Sequence, residues 1–191
     1  MRYVSTRGAA PVLDFGDALL AGLADDGGLY VPEAWPVLGD GGRGDYVETA
    51  VEVMSPYVGD SVGADAFAAM VEDAYAVFDA PDVAPIVELS DGIHLLELFH
   101  GPTLAFKDVA LQLVGRLFDH ELDRRGERVT IVGATSGDTG SAAIEACRDR
   151  DNMDLVILHP AGRVSDVQRR QMTTVTSANV HNVAVDGTFD D

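Results

Sequence analysis

Of the 13 lysine and arginine residues in this 191-residue chain, 12 are arginine and one, Lys107, is lysine. Arginine stays protonated and is no nucleophile, whereas a desolvated lysine amine can attack an aldehyde and hold it covalently as an imine. A lone lysine has a second reading, a surface charge whose stem lies along a helix flank. The neighbours of Lys107 bear on that choice. It stands in His100-Gly101-Pro102-Thr103-Leu104-Ala105-Phe106-Lys107-Asp108, where Gly-Pro makes a turn and Pro and Thr occupy the place where a helix opens. The spacing puts Lys107 in the first turns of that helix. His100, at the end of the preceding strand, reads either as a ligand or base or as a hydrogen-bonded packing residue.

A second cluster is Gly133-Ala134-Thr135-Ser136-Gly137-Asp138-Thr139-Gly140, between a β-branched run and a helical one. Small residues let backbone N–H groups approach an anion, and the hydroxyls of Thr135, Ser136 and Thr139 add hydrogen bonds. Nucleotide readings fail. A dinucleotide fingerprint needs glycine where Thr135 stands, and a P-loop needs Gly-Lys where Asp138-Thr139 stands. Asp138 would also repel a multiply charged phosphate at close range, which leaves a carboxylate as the favoured guest. The competing reading is helix capping by Ser136 or Asp138. An amine beside an anion cradle is the arrangement that captures an aldehyde cofactor together with an amino acid.

Such an arrangement requires elements that bring the two loops to one sheet edge. Residues 14–24, 45–57 and 63–78 have helical periodicity, with a glycine-rich loop at 39–44. Pro81 and Pro85 flank an unpatterned stretch, so a helical domain is expected over 1–83 and a second domain over 84–191. In the second, residues 93–99 read as a buried strand, 104–124 as a helix, 129–134 as a strand and 139–148 as a helix. A strand at 155–158, a helix at 165–173 with Ser165 as N-cap, and a strand at 180–185 follow. This alternation predicts an α/β fold: an open parallel sheet with right-handed crossovers and flanking helices, preceded by a mostly helical layer. No helical pattern follows the last strand, although a parallel sheet needs both faces covered. The chain is therefore expected to be cut short, and its uncovered sheet to make the isolated chain associate or lose stability.

Composition narrows the partners. Acidic residues outnumber basic ones 32 to 13, a formal net charge of −19, so phosphate backbones and anionic membranes would repel the chain. No run approaches the roughly 20 apolar residues that span a bilayer, and residues 1–11 lack the apolar stretch of a secretory signal. Cys147 is the single cysteine, which rules out an intrachain disulfide and a cysteine-based zinc site. The expectation is a cytoplasmic protein that binds a small molecule and no nucleic acid, membrane or metal, with an acidic surface such as salt-adapted proteins carry.

The segment HGPTLAFKDVALQLVG resembles the cofactor-lysine segment of threonine synthases, pyridoxal-phosphate enzymes of fold type II, and GATSGDTGSAA is similar to their substrate loop. Tyr3-Val4-Ser5-Thr6-Arg7-Gly8, the DGGLYVP stretch from Asp26, ELFHGPT, HPAGRVSDVQRRQM and the closing VAVDGTFDD are similar to the same family. Other fold type II enzymes commonly carry Ser-Gly-Asn-Thr-Gly, so Asp138 favours the threonine synthase branch.

The resemblance implies a pyridoxal 5'-phosphate-dependent lyase that converts O-phosphohomoserine and water to threonine and phosphate. Lys107 would hold the cofactor and then move protons, while Thr135, Ser136, Gly137, Asp138 and Thr139 would bind the substrate carboxylate. Asp138 would also stand near the cofactor's phenolic oxygen, and Phe106 would pack beside the ring or in the core. In the family, the glycine-rich loop for the cofactor phosphate and the partner of the pyridine nitrogen come later than Asp191. The chain thus reads as an incomplete fold type II architecture, an N-terminal portion with low or no activity alone. The alternatives are a sibling lyase such as threonine dehydratase, and a truncated non-catalytic binding module.

Overall fold

The computed structural model describes residues 1–39, 44–135 and 137–188. The chain divides into two compact units, Met1–Asp73 and Ala74–Asp191. The glycine-rich stretch at 39–44 lies mostly outside the described residues.

In the first unit, β1 (Tyr3–Ser5) pairs antiparallel with β2 (Tyr30–Pro32). Around them are α1 (Phe15–Ala21), α2 (Tyr46–Val58) and α3 (Ala64–Tyr75). Asp14 caps α1 by accepting from the Asp17 N–H at 2.8 Å, and Asp45 with Glu48 forms a reciprocal capping box on α2. The helix runs past Pro56 to Val58 and ends at Gly59, whose φ is +62°. Val58, Val62, Phe67 and Val71 are buried together as the unit's apolar core.

Two of the quoted sequence stretches meet in this unit. The Asp26 carboxylate accepts from the Ser5 hydroxyl at 2.7 Å and from the N–H groups of Ala9, Ala10 and Gly28. These bonds, the Ser5 hydroxyl foremost, hold its pKa down at about 2. A side chain at Gly28 would collide with the Ser5 hydroxyl, so this turn accepts only glycine.

The second unit opens with an antiparallel hairpin of β3 (Ile86–Ser90) and β4 (Ile93–Leu96). It continues through α4 (Asp108–Arg125), β5 (Val129–Ala134), α5 (Asp138–Cys147), β6 (Met153–Pro160), α6 (Asp166–Thr173) and β7 (Val180–Val185). Strands β5, β6 and β7 form one parallel sheet in that order. A sheet that grows in one direction through right-handed crossovers places α5 and α6 on the same face. On the opposite face Val132 and Val183 are exposed. Leu155 and Ile157 of β6, Ile144 of α5, Leu113 and Leu117 of α4 and Met172 of α6 fill the covered side. At Gly115 a Cβ would meet the Ala146 carbonyl oxygen at 2.5 Å, so α4 and α5 touch backbone to backbone.

Two expectations are corrected here. The expected buried strand at 93–99 is shorter and exposed, and it pairs with β3 instead of joining the parallel sheet. Asp91-Gly92 supplies the tight turn, with Gly92 at φ +74°. The helix expected from Leu104 begins only at Asp108, where the Asp108 carboxylate turns back to accept from the Thr103 N–H and hydroxyl. Among the described residues no helix is long and apolar enough to cross a membrane.

Candidate active site

The lysine loop is built around two acid-anchored residues. His100 is held at 2.7 Å through Nε2 by Glu97 and at 2.7 Å through Nδ1 by Asp79. The Glu97 bond, with Asp79 second, raises the pKa of His100 and favours the imidazolium. The Asp79 N–H also donates to the His100 carbonyl. Both ring nitrogens are therefore committed, and of the two sequence readings the structure shows the packing one.

Asp108 is fully buried at the start of α4. It accepts from the Thr103 N–H and hydroxyl, each at 2.8 Å. Burial pushes its pKa up, and the Thr103 bonds oppose that shift. A Cβ on Gly101 would lie 2.5 Å from the Asp108 carboxyl group, so the glycine is required for the closure.

Lys107 is the residue immediately before α4, not one within its first turns. Its Nζ stands 4.3 Å from the centroid of the Phe106 ring, an attraction between cation and ring face. Phe106 is 58% exposed, so it is not a core residue. Lys107 and Phe106 line a cavity of about 460 Å³ together with Leu98, Leu111 and, from the other loop, Thr139.

The second loop leaves β5 at Ala134 and enters α5. Thr135 is buried, and its hydroxyl accepts from the N–H groups of Gly137 at 3.0 Å and Gly140 at 3.1 Å. Gly137 is the N-cap of α5, at φ +143°, and gives the helix no side-chain cap. Helix geometry leaves the N–H groups of Asp138 and Thr139 without intrahelical acceptors, and that end carries the positive pole of the helix dipole. Asp138 does not cap: its Oδ1 accepts from Gln168 Nε2 at 2.6 Å. Thr139 is exposed and lines the same cavity. Ser136 lies outside the described residues.

The structure thus sets Lys107 and Thr139 on one cavity, Asp138 beside Gln168, and Thr135 and Gly137 inside the loop as its frame. Sequence reading missed Gln168 and Gln171, whose Nε2 donates to the Thr103 carbonyl at 2.9 Å. One local signal existed: Ser165-x-x-Gln168 is a capping-box pattern. Among the described residues no cluster of three or more His, Cys, Asp or Glu side chains could hold a metal ion.

Open parallel sheets bind their ligands at the carboxyl ends of the strands, and here the loop after β5 brings Thr139 to a cavity that Lys107 also lines. Residues 77–191 match the family described as pyridoxal-phosphate dependent enzyme, and residues 2–75 match threonine synthase N terminus. The chain belongs to the pyridoxal-phosphate-dependent enzyme family of fold type II, and its first segment is that of the threonine synthases.

Threonine synthase of Pseudomonas aeruginosa is 58% identical over 196 residues, a match covering 100% of this chain and 42% of that protein. The crystal structure of pyridoxal-phosphate-bound threonine synthase from Brucella melitensis superposes with a TM-score of 0.94 at 55% identity. It covers 100% of this chain and 42% of that one. Yeast threonine synthase superposes at 0.93 with 39% identity, covering 99% and 41%. The chain thus spans about two fifths of the length of the relatives it matches.

Proposed function

We propose that this chain is the lysine-bearing portion of a threonine synthase, which uses pyridoxal 5'-phosphate to convert O-phosphohomoserine and water to threonine and phosphate. The observation that supports it most is that Lys107 and Thr139, from the two loops, line one cavity, with Thr139 in the first turn of α5. The residues present suit the cofactor. The cavity, about 460 Å³, falls in the size range of small-ligand pockets, its walls are apolar, and the chain's one lysine is among the residues that line it.

When bound, pyridoxal phosphate supplies an electron sink for charge that develops next to the amino acid's α-carbon. Lys107 would hold it through Nζ, and Asp138 would face its phenolic oxygen. The Lys107 amine then takes and returns protons at the substrate's carbon atoms. Phe106 keeps that amine desolvated on one side and oriented over its ring.

The substrate carboxylate would bind at the N-terminus of α5, among Thr135, Ser136, Gly137, Asp138 and Thr139. The free N–H groups there and the Thr139 hydroxyl donate to it. Thr135 keeps the loop in shape by holding the Gly137 and Gly140 N–H groups. Groups that hold the cofactor's phosphate would come from the part of the relatives that this chain does not match, so the chain alone is expected to turn over little substrate.

A chimera tests this reading. This chain replaces the matched 42% of the Pseudomonas aeruginosa enzyme, and threonine and phosphate are measured together from O-phosphohomoserine. Equimolar release that Lys107→Arg abolishes is the expected result. A folded, cofactor-loaded chimera that releases neither product contradicts the assignment.

A further inference from the structure

Helix α6 touches both loops of the site, through two glutamines three residues apart on one face. Gln168 Nε2 donates to Asp138 Oδ1 at 2.6 Å, and Gln171 Nε2 donates to the Thr103 carbonyl at 2.9 Å. We propose that α6 is a two-pronged clamp in which Gln168 and Gln171 are positioning residues that fix the spacing between the Asp138 loop and the Lys107 loop. Its relevance to catalysis rests on the roles proposed above for Lys107 and Asp138.

The Gln168 amide is oriented by its own helix. The Ser165 hydroxyl, which caps α6 by accepting from the Gln168 N–H, donates to Gln168 Oε1 at 2.8 Å. With the oxygen end taken, the NH₂ end faces Asp138. Gly137 makes room for it. A Cβ there would stand 2.5 Å from the Gln168 amide carbon, and φ of +143° disfavours any other residue in any case. The sharp turn of the cradle and the position of the glutamine are therefore one arrangement.

The base of the clamp is rigid. Met172, next to Gln171, is fully buried, and its sulfur packs where a side chain on Gly140 would stand. Asn182 of β7 donates to the Met172 carbonyl at 2.9 Å. A helix fixed to α5 and β7 thus reaches out to the lysine loop on one side and the acid of the cradle on the other. Gln168 meets Asp138 at one carboxylate oxygen, Oδ1.

Glutamate at position 168 separates clamping from capping. Gln168→Glu keeps an acceptor for the Ser165 hydroxyl and leaves the Ser165 cap on the residue-168 N–H in place, but it sets a second carboxylate against Asp138. Gln171→Leu removes the other prong at similar volume. Hydrogen exchange of the cofactor-free protein at neutral pH reads both.

In Gln168→Glu, the amides of residues 137–141 are expected to exchange about tenfold faster, while those of 169–174 stay within about twofold of the unsubstituted protein. In Gln171→Leu, the acceleration falls on residues 103–108 instead. Unchanged exchange at 137–141 in Gln168→Glu overturns the clamp, as does equal acceleration throughout α6, which would make Gln168 a helix cap alone. Because no cofactor is present, this result stands apart from the proposed function. Failure of the unsubstituted protein to take up pyridoxal phosphate would strike that reading and leave the exchange pattern to decide the clamp.

Discussion

Thr103 and Asp108 are bonded to each other twice, N–H to Oδ2 and hydroxyl to Oδ1, each at 2.8 Å. The pair closes the loop upon itself with Lys107 at its rim. Replacing the acid by its amide turns one acceptor into a donor that faces the Thr103 N–H or hydroxyl. Asp108→Asn is expected to cost about 1–3 kcal/mol of stability, read as a lowered denaturation midpoint, together with weaker cofactor uptake. An unchanged midpoint and uptake would show that the loop holds its shape without the pair.

The Asp26 carboxylate titrates at about 2 in the folded chain, below the roughly 3.9 of an unfolded aspartate. A depressed acid contributes stability above its unfolded pKa and loses it as pH falls through the folded one. The first unit is therefore expected to weaken as pH drops from about 4 to about 2. Denaturation midpoints across that window, compared with Asp26→Asn, check it: the variant should be weaker at neutral pH and show a shallower fall.

For His100 the sign is reversed. Glu97 and Asp79 raise its pKa above the ordinary 6.5, so its contribution is complete below that value and fades as pH rises through the folded pKa. Unfolding midpoints are expected to decline on the alkaline side in the unsubstituted chain and to change less in His100→Gln. A His100 ring that titrates at or below the ordinary value, followed by nuclear magnetic resonance, would contradict the doubly held imidazolium.

The strand and helix alternation from Val129 to Val185 is legible in the sequence because β-branched runs and amphipathic turns are local signals. So are Lys107, unusual by residue type, and the small-residue loop after β5. The hairpin of β3 and β4 was not read. A mostly apolar run such as residues 93–99 looks buried, but what covers a strand is decided by distant chain. The start of α4 was misplaced because Asp108 bonds backward to Thr103, a side-chain closure that helix periodicity does not encode. Gln168 and Gln171 act on residues 30 and 68 positions away. Only their helix cap is local, so the cap could be seen in the sequence and the clamp could not.

The most direct measurement is borohydride reduction of the protein with pyridoxal phosphate, followed by peptide mass mapping. With one lysine in the chain, the only other primary amine is the N-terminus. The account predicts a reduced pyridoxyl group on Lys107 that is absent from Lys107→Arg. Label confined to the N-terminal amine, or equal labelling in the arginine variant, would contradict it.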